Sequence, residues 1–153
     1  MGIEKYIVFQ LQGQSYAASI QQIVSIELLQ EVVALPQASE FIDGITTLRG
    51  EVVPIIDLKT RMGLMRSQKT DQTRVLLSNV NHVQVGFVVD EANDVIDIDA
   101  STIEDAPTTI KGVNGNFLKG VAKLNDRLLL VLDLKHILNY EEVSEVKQVL
   151  DEQ

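Results

Sequence analysis

Cysteine is missing from this 153-residue chain, which removes disulfides, thiolate metal ligands and thiol nucleophiles together and fits a reducing compartment. Tryptophan is missing too, and with only four Phe and three Tyr the chain is short of the rings on which single-stranded nucleic acid stacks. Positive charge is in the minority, 13 Lys and Arg against 22 Asp and Glu, for a net charge of −9. Nucleic acid and anionic lipid surfaces are bound through clustered cations, so both are poor partners for this chain. No apolar run is long enough to cross a bilayer. The start "MGIEKYIVFQLQGQSY" lacks the layout of a signal peptide and the Ser or Thr of a myristoylation signal, so a cytoplasmic protein that is not membrane-inserted is expected. What is present is 45% hydrophobic and 23% charged residues, the composition of a folded globular domain.

The inventory for chemistry is equally thin. His82 and His136 stand far apart with no companion ligands, so a tetrahedral metal site is not supported. "DVIDIDAST" looks superficially like a calcium loop, but counting from Asp97 the sixth position is Thr102 where Gly is needed, and the twelfth is Thr108 where Glu is needed. No Ser lies in a G-x-S-x-G elbow, and the glycines of "GVNGNFLKG" are not followed by the Lys-Ser or Lys-Thr of a phosphate loop, so Asn114-Gly115 reads as a turn. Asp57 and Asp133 each precede a short helical segment, "LKTRMGL" or "LKHILNY", where capping is the simpler role. No catalytic residue, metal ligand or cofactor site is therefore assigned.

Short Val-, Ile- and Leu-rich segments separated by turn residues predict a mostly β chain. Expected strands are 5–11, 14–20, 45–48, 51–56, 73–79, 83–89, 120–124 and 127–132. Ser101 and Glu104 have capping-box spacing ahead of Pro107. Val143, Val146, Val149 and Leu150 fall on one face of a C-terminal helix, a stripe expected to pack on the chain's own body. "MRSQKT" reads as a loop.

Two stretches repeat. "FIDGITTLRGEVVPIIDLK" and "FLKGVAKLNDRLLLVLDLK" align at an offset of 76, matching Phe41 with Phe117, Gly44 with Gly120, Leu48 with Leu124 and Asp57 with Asp133. Earlier segments align at an offset of 69, matching Ile20 with Val89, Ile23 with Ala92 and Ile26 with Val95. The chain therefore reads as two similar β halves. Arg49 breaks the repeat, since its counterpart is Asn125. The fold does not demand an Arg there, and its rigid fork of donors suits a recognition anchor.

The run "FIDGITTLRGEVVPIIDL", with "RMGL", "VGFVVDEANDV" and "FLKGVAKLNDRLLLVLDL", resembles the CheW-type coupling proteins of bacterial chemotaxis over nearly the full length. The resemblance implies one domain over residues 1–153, made of two intertwined five-stranded SH3-like β-barrels with a C-terminal helix. It implies no catalysis and no cofactor. The expected role is a chemotaxis adaptor that couples chemoreceptor cytoplasmic tips to the regulatory domain of a CheA-type histidine kinase, recruited to membrane receptor arrays, with ring formation left open. The implied receptor groove lies between the barrels and is carried by Ile20, Ile23, Ile26, Val89, Ala92 and Val95, with Arg49 and Gly50 as the family's Arg-Gly pair. The kinase-facing region is implied at Glu51, Val52, Val53 and Pro54. Two departures stand out: Ala92 replaces a commonly larger apolar residue, and Ser25 occupies a place often held by Glu. The competing reading is a small β-barrel ligand-binding protein or enzyme acting between the barrels, which would need a deep polar pocket with clustered titratable groups.

Overall fold

The structure, a computed structural model, describes residues 2–36, 38–66, 68–105 and 117–151. Ten strands run β1 (Ile3–Leu11), β2 (Gln14–Ser19), β3 (Ser25–Leu28), β4 (Ile42–Leu48), β5 (Glu51–Asp57), β6 (Arg74–Val80), β7 (Val83–Val89), β8 (Glu91–Asp99), β9 (Leu118–Leu124) and β10 (Arg127–Leu132). A one-turn helix α1 (Leu58–Arg61) follows β5, and the chain ends in helix α2 (Tyr140–Asp151). Four hairpins turn on two residues each, Gln12-Gly13, Arg49-Gly50, Asn81-His82 and Asn125-Asp126, and every one of these residues has positive φ. That is the type I′ geometry whose twist matches the flanking strands.

The strands form two five-stranded sheets, β8-β1-β2-β10-β9 and β3-β6-β7-β5-β4. The sequence repeat is reproduced register for register. Offset 69 carries Ala17 onto Gly86 and offset 76 carries Ile55 onto Val131; Val131 lies beside Ala17 in one parallel pair and Ile55 beside Gly86 in the other. The two halves of the sequence are not, however, the two halves in space. The first hairpin, β1–β2, leaves the strands that follow it and joins β8, β9 and β10, so one sheet holds the unbroken run β3 to β7, the other is assembled from the first two and last three strands, and the chain crosses between them. This is the intertwining that the resemblance implied.

Each sheet has its own inner core, Leu48, Val53, Ile55, Val75, Leu77 and Val88 in one and Tyr6, Val8, Ala17, Ile98, Ala122, Leu129 and Val131 in the other. The largest cluster draws on both sheets, packing Ile7, Phe9 and Tyr16 with Leu76, Val85 and Phe87, and receives Val143 and Val146 of α2. Burial of that shared layer is what fixes one sheet against the other. The outer edges of each sheet are linked by one bridge: Val33 exchanges backbone hydrogen bonds with Ile45 of β4, and Glu104 does so with Val121 of β9. Gly44 and Gly120 make these bridges possible, because a Cβ on Gly44 would lie 2.0 Å from the Val33 carbonyl oxygen and one on Gly120 2.5 Å from that of Glu104.

Several expectations need correction. Strands β3 and β8 were not expected, and β1, β4 and β9 begin two or three residues earlier than the apolar runs suggested. Ser101 does not open a capped helix; Asp99 caps a short 3-10 turn by accepting from the Ser101 amide, and Glu104 is spent on its bridge. Asp57 precedes α1 but caps no amide, accepting instead from the Thr60 hydroxyl at 2.6 Å, whereas Asp133 does accept from the Lys135 amide. Pro107 and the Asn114-Gly115 turn lie outside the described residues. The C-terminal stripe packs on its own chain as expected, and α2 starts with a reciprocal cap in which the Glu142 amide donates to Asn139 Oδ1 and the Asn139 amide to Glu142 Oε1. Arg61 and Ser39 then reach Glu142 and Glu145, holding the helix against the sheet.

Candidate protein-docking site

Strand β3 is amphipathic the wrong way round for a sheet edge. Ser25 and Glu27 are half-buried, while Ile26 is 42% and Leu28 60% exposed. An edge strand that turns apolar side chains to solvent has the character of an interaction surface. Ile26 stands opposite Leu76 in the β3–β6 pair and its repeat counterpart Val95, 51% exposed, stands opposite Ile7 in the β1–β8 pair. Directly opposed residues of an antiparallel pair share a face. Leu76 and Ile7 both belong to the shared layer between the sheets, so Ile26 and Val95 form exposed rims of that same layer.

The other residues expected to line a receptor groove lie near this rim. Ile23 and Val89 are buried inside the shared layer and Ala92 packs on it, so these shape the surface from beneath, and Val89 has no exposed area with which to touch a partner. Ile20 is partly exposed on the short 3-10 turn Ile20–Gln22 that crosses from β2 to β3. That turn is clasped from the exit of β10, the neighbour of β2, with Gln22 Oε1 accepting from the Leu134 amide and Gln22 Nε2 donating to Asp133 Oδ1, both at 2.8 Å. Burial pushes the Asp133 carboxyl up, but hydrogen bonds from His136 and Gln22 and the Lys135 amide outweigh it and hold the group below its ordinary value.

Arg49 occupies the tip of the β4–β5 turn in the left-handed conformation, φ 53, with its side chain 62% exposed. Its Nε lies 3.7 Å from Glu27 Oε2, and Glu27 also accepts from the Ser25 hydroxyl at 2.6 Å. Glu27 was not picked out from the sequence, although the signal was there. Positions 25 and 27 share a face of β3, so a carboxylate absent at Ser25 is available two residues on. Arg49, Gly50, Glu27, Glu31, Val33 and Val52 border an open cleft of about 600 Å³ that faces solvent and is not a closed chamber between the sheets.

Of the four residues assigned to the kinase side, Glu51 and Val52 are exposed at the start of β5, while Val53 and Pro54 are buried. Pro54 is tolerated because β5 pairs with β7 only from Ile55 onward, so its missing amide breaks no ladder there. No cluster of three or more His, Cys, Asp or Glu side chains is placed to hold a metal among the described residues. None of the described helices is long and apolar enough to cross a membrane.

Comparison with known proteins agrees with this geometry. The CheW-like domain matches residues 5–142. The chain is 38% identical over 138 residues to the chemotaxis protein CheW of Bacillus subtilis, covering 90% of this chain and 88% of that one. It is 30% identical over 146 residues to CheW of Klebsiella aerogenes, covering 95% and 88%. The crystal structure of the scaffolding protein TtCheW from Thermoanaerobacter tengcongensis superposes with a TM-score of 0.82 at 29% identity, covering 93% of this chain and 91% of that one. The chain, with its two interlocked five-stranded sheets and an apolar rim where they meet, belongs to the CheW-like family.

Proposed function

We propose that this protein is a non-enzymatic chemotaxis adaptor that couples the cytoplasmic tip of a chemoreceptor to the regulatory domain of a CheA-type histidine kinase. The observation that carries the reading is the inverted edge strand β3 facing out beside the shared layer, with Ile26 and Val95 as exposed rims and Ile23, Val89 and Ala92 beneath them. A helical hairpin tip docks by laying apolar side chains into such a surface, and Arg49 at the adjacent turn supplies an oriented polar contact. Membership of a family whose relatives are named chemotaxis and scaffolding proteins supports it. The kinase contact is assigned to the exposed Glu51 and Val52, which directly follow the Arg49-Gly50 turn, with buried Val53 and Pro54 supporting them. The protein works in the cytoplasm and joins membrane arrays through its receptor partner.

The test is kinase autophosphorylation with receptor-containing membranes, with and without this chain. Stimulation that requires all three components is expected. Kinase activity unaffected by the chain, with no measurable binding to either partner, would withdraw the coupling function while leaving the fold assignment intact.

A further inference from the structure

We infer that Gln22 is a positioning residue that sets the apolar wall carried by Ile20, Ile23 and Ile26; the inference rests on the receptor-docking reading above. The 3-10 turn Ile20–Gln22 is three residues long and none of its residues is buried. So short a 3-10 segment has little stability of its own, and its place must be set from outside. Its internal ties are the Ser19 hydroxyl accepting from the Gln21 amide at 3.2 Å and the Ile23 amide donating to the Ile20 carbonyl at 3.2 Å. The Gln22 carboxamide reaches across to the exit of β10 and uses both its ends, accepting from the Leu134 amide and donating to the Asp133 carboxylate. Ile23 and β3 follow directly, so whatever fixes Gln22 fixes the start of the wall.

The repeat gives this reading an internal control. The equivalent crossing, from β7 to β8, leads into Ala92 and Val95, and it too is tied to the exit of the neighbouring sheet strand. There the tie is ionic: Lys59 Nζ lies 3.0 Å from Asp90 Oδ2, with the Lys59 side chain only 5% exposed. Asp90 also accepts from the Gln12 amide at 2.8 Å. By the repeat offsets Asp90 corresponds to Gln21 and Lys59 to Lys135, so the two ties join corresponding places through different residues and different chemistry. Two crossings that carry the two proposed walls are each pinned, one by an amide and one by a buried ion pair. A docking surface held rigid before the partner arrives loses less ordering entropy on binding.

The experiment compares wild type, Gln22→Glu, and the double exchange Gln22→Glu with Asp133→Asn. The single change sets two carboxylates against each other. The double change restores a donor facing an acceptor and keeps an oxygen for the Leu134 amide, but it gives up the bond that the Lys135 amide makes to the same Asp133 oxygen. Readouts are hydrogen exchange at the Ile23, Val24 and Leu134 amides, affinity for a receptor cytoplasmic-tip fragment, and affinity for the kinase regulatory domain. Asn139→Ala, which removes the cap of α2, serves as a control for general loss of stability. The single variant should exchange faster at those three amides and bind the tip about tenfold more weakly, with kinase affinity unchanged; the double exchange should recover part of both losses. A single variant with wild-type exchange overturns the clasp regardless of any partner. A single variant that exchanges faster yet binds the tip normally, or a control that loses tip binding as much, overturns the positioning role alone. A wild-type protein that fails to bind the tip removes the docking reading itself, and the positioning role with it.

Discussion

Arg49 holds a backbone conformation that suits it poorly. The same place in the other three hairpin turns is taken by Gln12, Asn81 and Asn125, and Asn enters the left-handed region far more readily than other residues with a Cβ. A long charged side chain retained in a strained turn, half in solvent and braced only loosely by Glu27, is not explained by stability. Arg49→Asn should therefore raise the unfolding free energy by about 1 kcal/mol, and the urea midpoint with it, while weakening receptor-dependent kinase stimulation. Urea unfolding and the three-component kinase assay on the same preparation would check both halves. A variant that is less stable, or one that couples normally, contradicts the assignment. Gly50 sits beside it at φ 81 with nothing within 4 Å of an added Cβ, so its glycine answers to backbone conformation alone.

At the level of strands the decisive positions are the two bridges that link the sheet edges. At Gly44 the backbone has φ +147 and the Val33 carbonyl occupies the space where a Cβ would stand. Gly44→Ala should destabilise by roughly 3 kcal/mol, combining overpacking with backbone strain, and should free the Val33 and Ile45 amides to exchange. Gly50→Ala, strained but unclashed, should lose clearly less; equal losses measured by chemical denaturation would mean that the bridge contributes little. The pairing of Gly44 with Gly120 was visible in the sequence as a repeat, and so were eight strands, because continuous apolar runs between turn residues mark covered strands well. Strands β3 and β8 escaped for physical reasons. β3 has four residues with its apolar face outward, and β8, "EANDVIDID", is an acid-rich edge that survives by pairing with β1 along nearly its whole length. The candidate site was legible in its apolar spacing and its Arg-Gly pair. Gln22 and the Lys59–Asp90 pair were not, since each acts through a partner distant in sequence, and a polar residue alone does not announce its partner.

For the molecule as a whole, the tyrosines and carboxylates with altered ionisation among the described residues gather in one sheet. Tyr6 on β1 is raised by burial and by the nearby Glu4 charge, and Tyr16 on β2 is raised by burial. Asp133 at the exit of β10 is lowered once its hydrogen bonds outweigh burial, and the exposed Asp99 closing β8 is lowered by hydrogen bonds from the Ser101 amide and hydroxyl. A carboxylate with a depressed folded pKa contributes stability above its unfolded value, about 3.9, and that contribution is lost as pH falls through the folded value. A tyrosine with a raised folded pKa contributes below its unfolded value, about 10, and that contribution is lost as pH rises toward the folded one. Stability should therefore be flat between roughly pH 5 and 9 and should fall at both ends. Both losses should begin in the sheet β8-β1-β2-β10-β9, with β3-β6-β7-β5-β4 following only as the shared layer gives way. Asp133→Asn should flatten the acid limb, because the variant has no carboxylate left to protonate there. Urea midpoints between pH 3 and 6 for both proteins, read alongside amide exchange resolved by strand, would decide the matter. An acid limb equally steep in the variant, or exchange rising together in the two sheets, would show that the pH response belongs to the shared layer and not to one sheet.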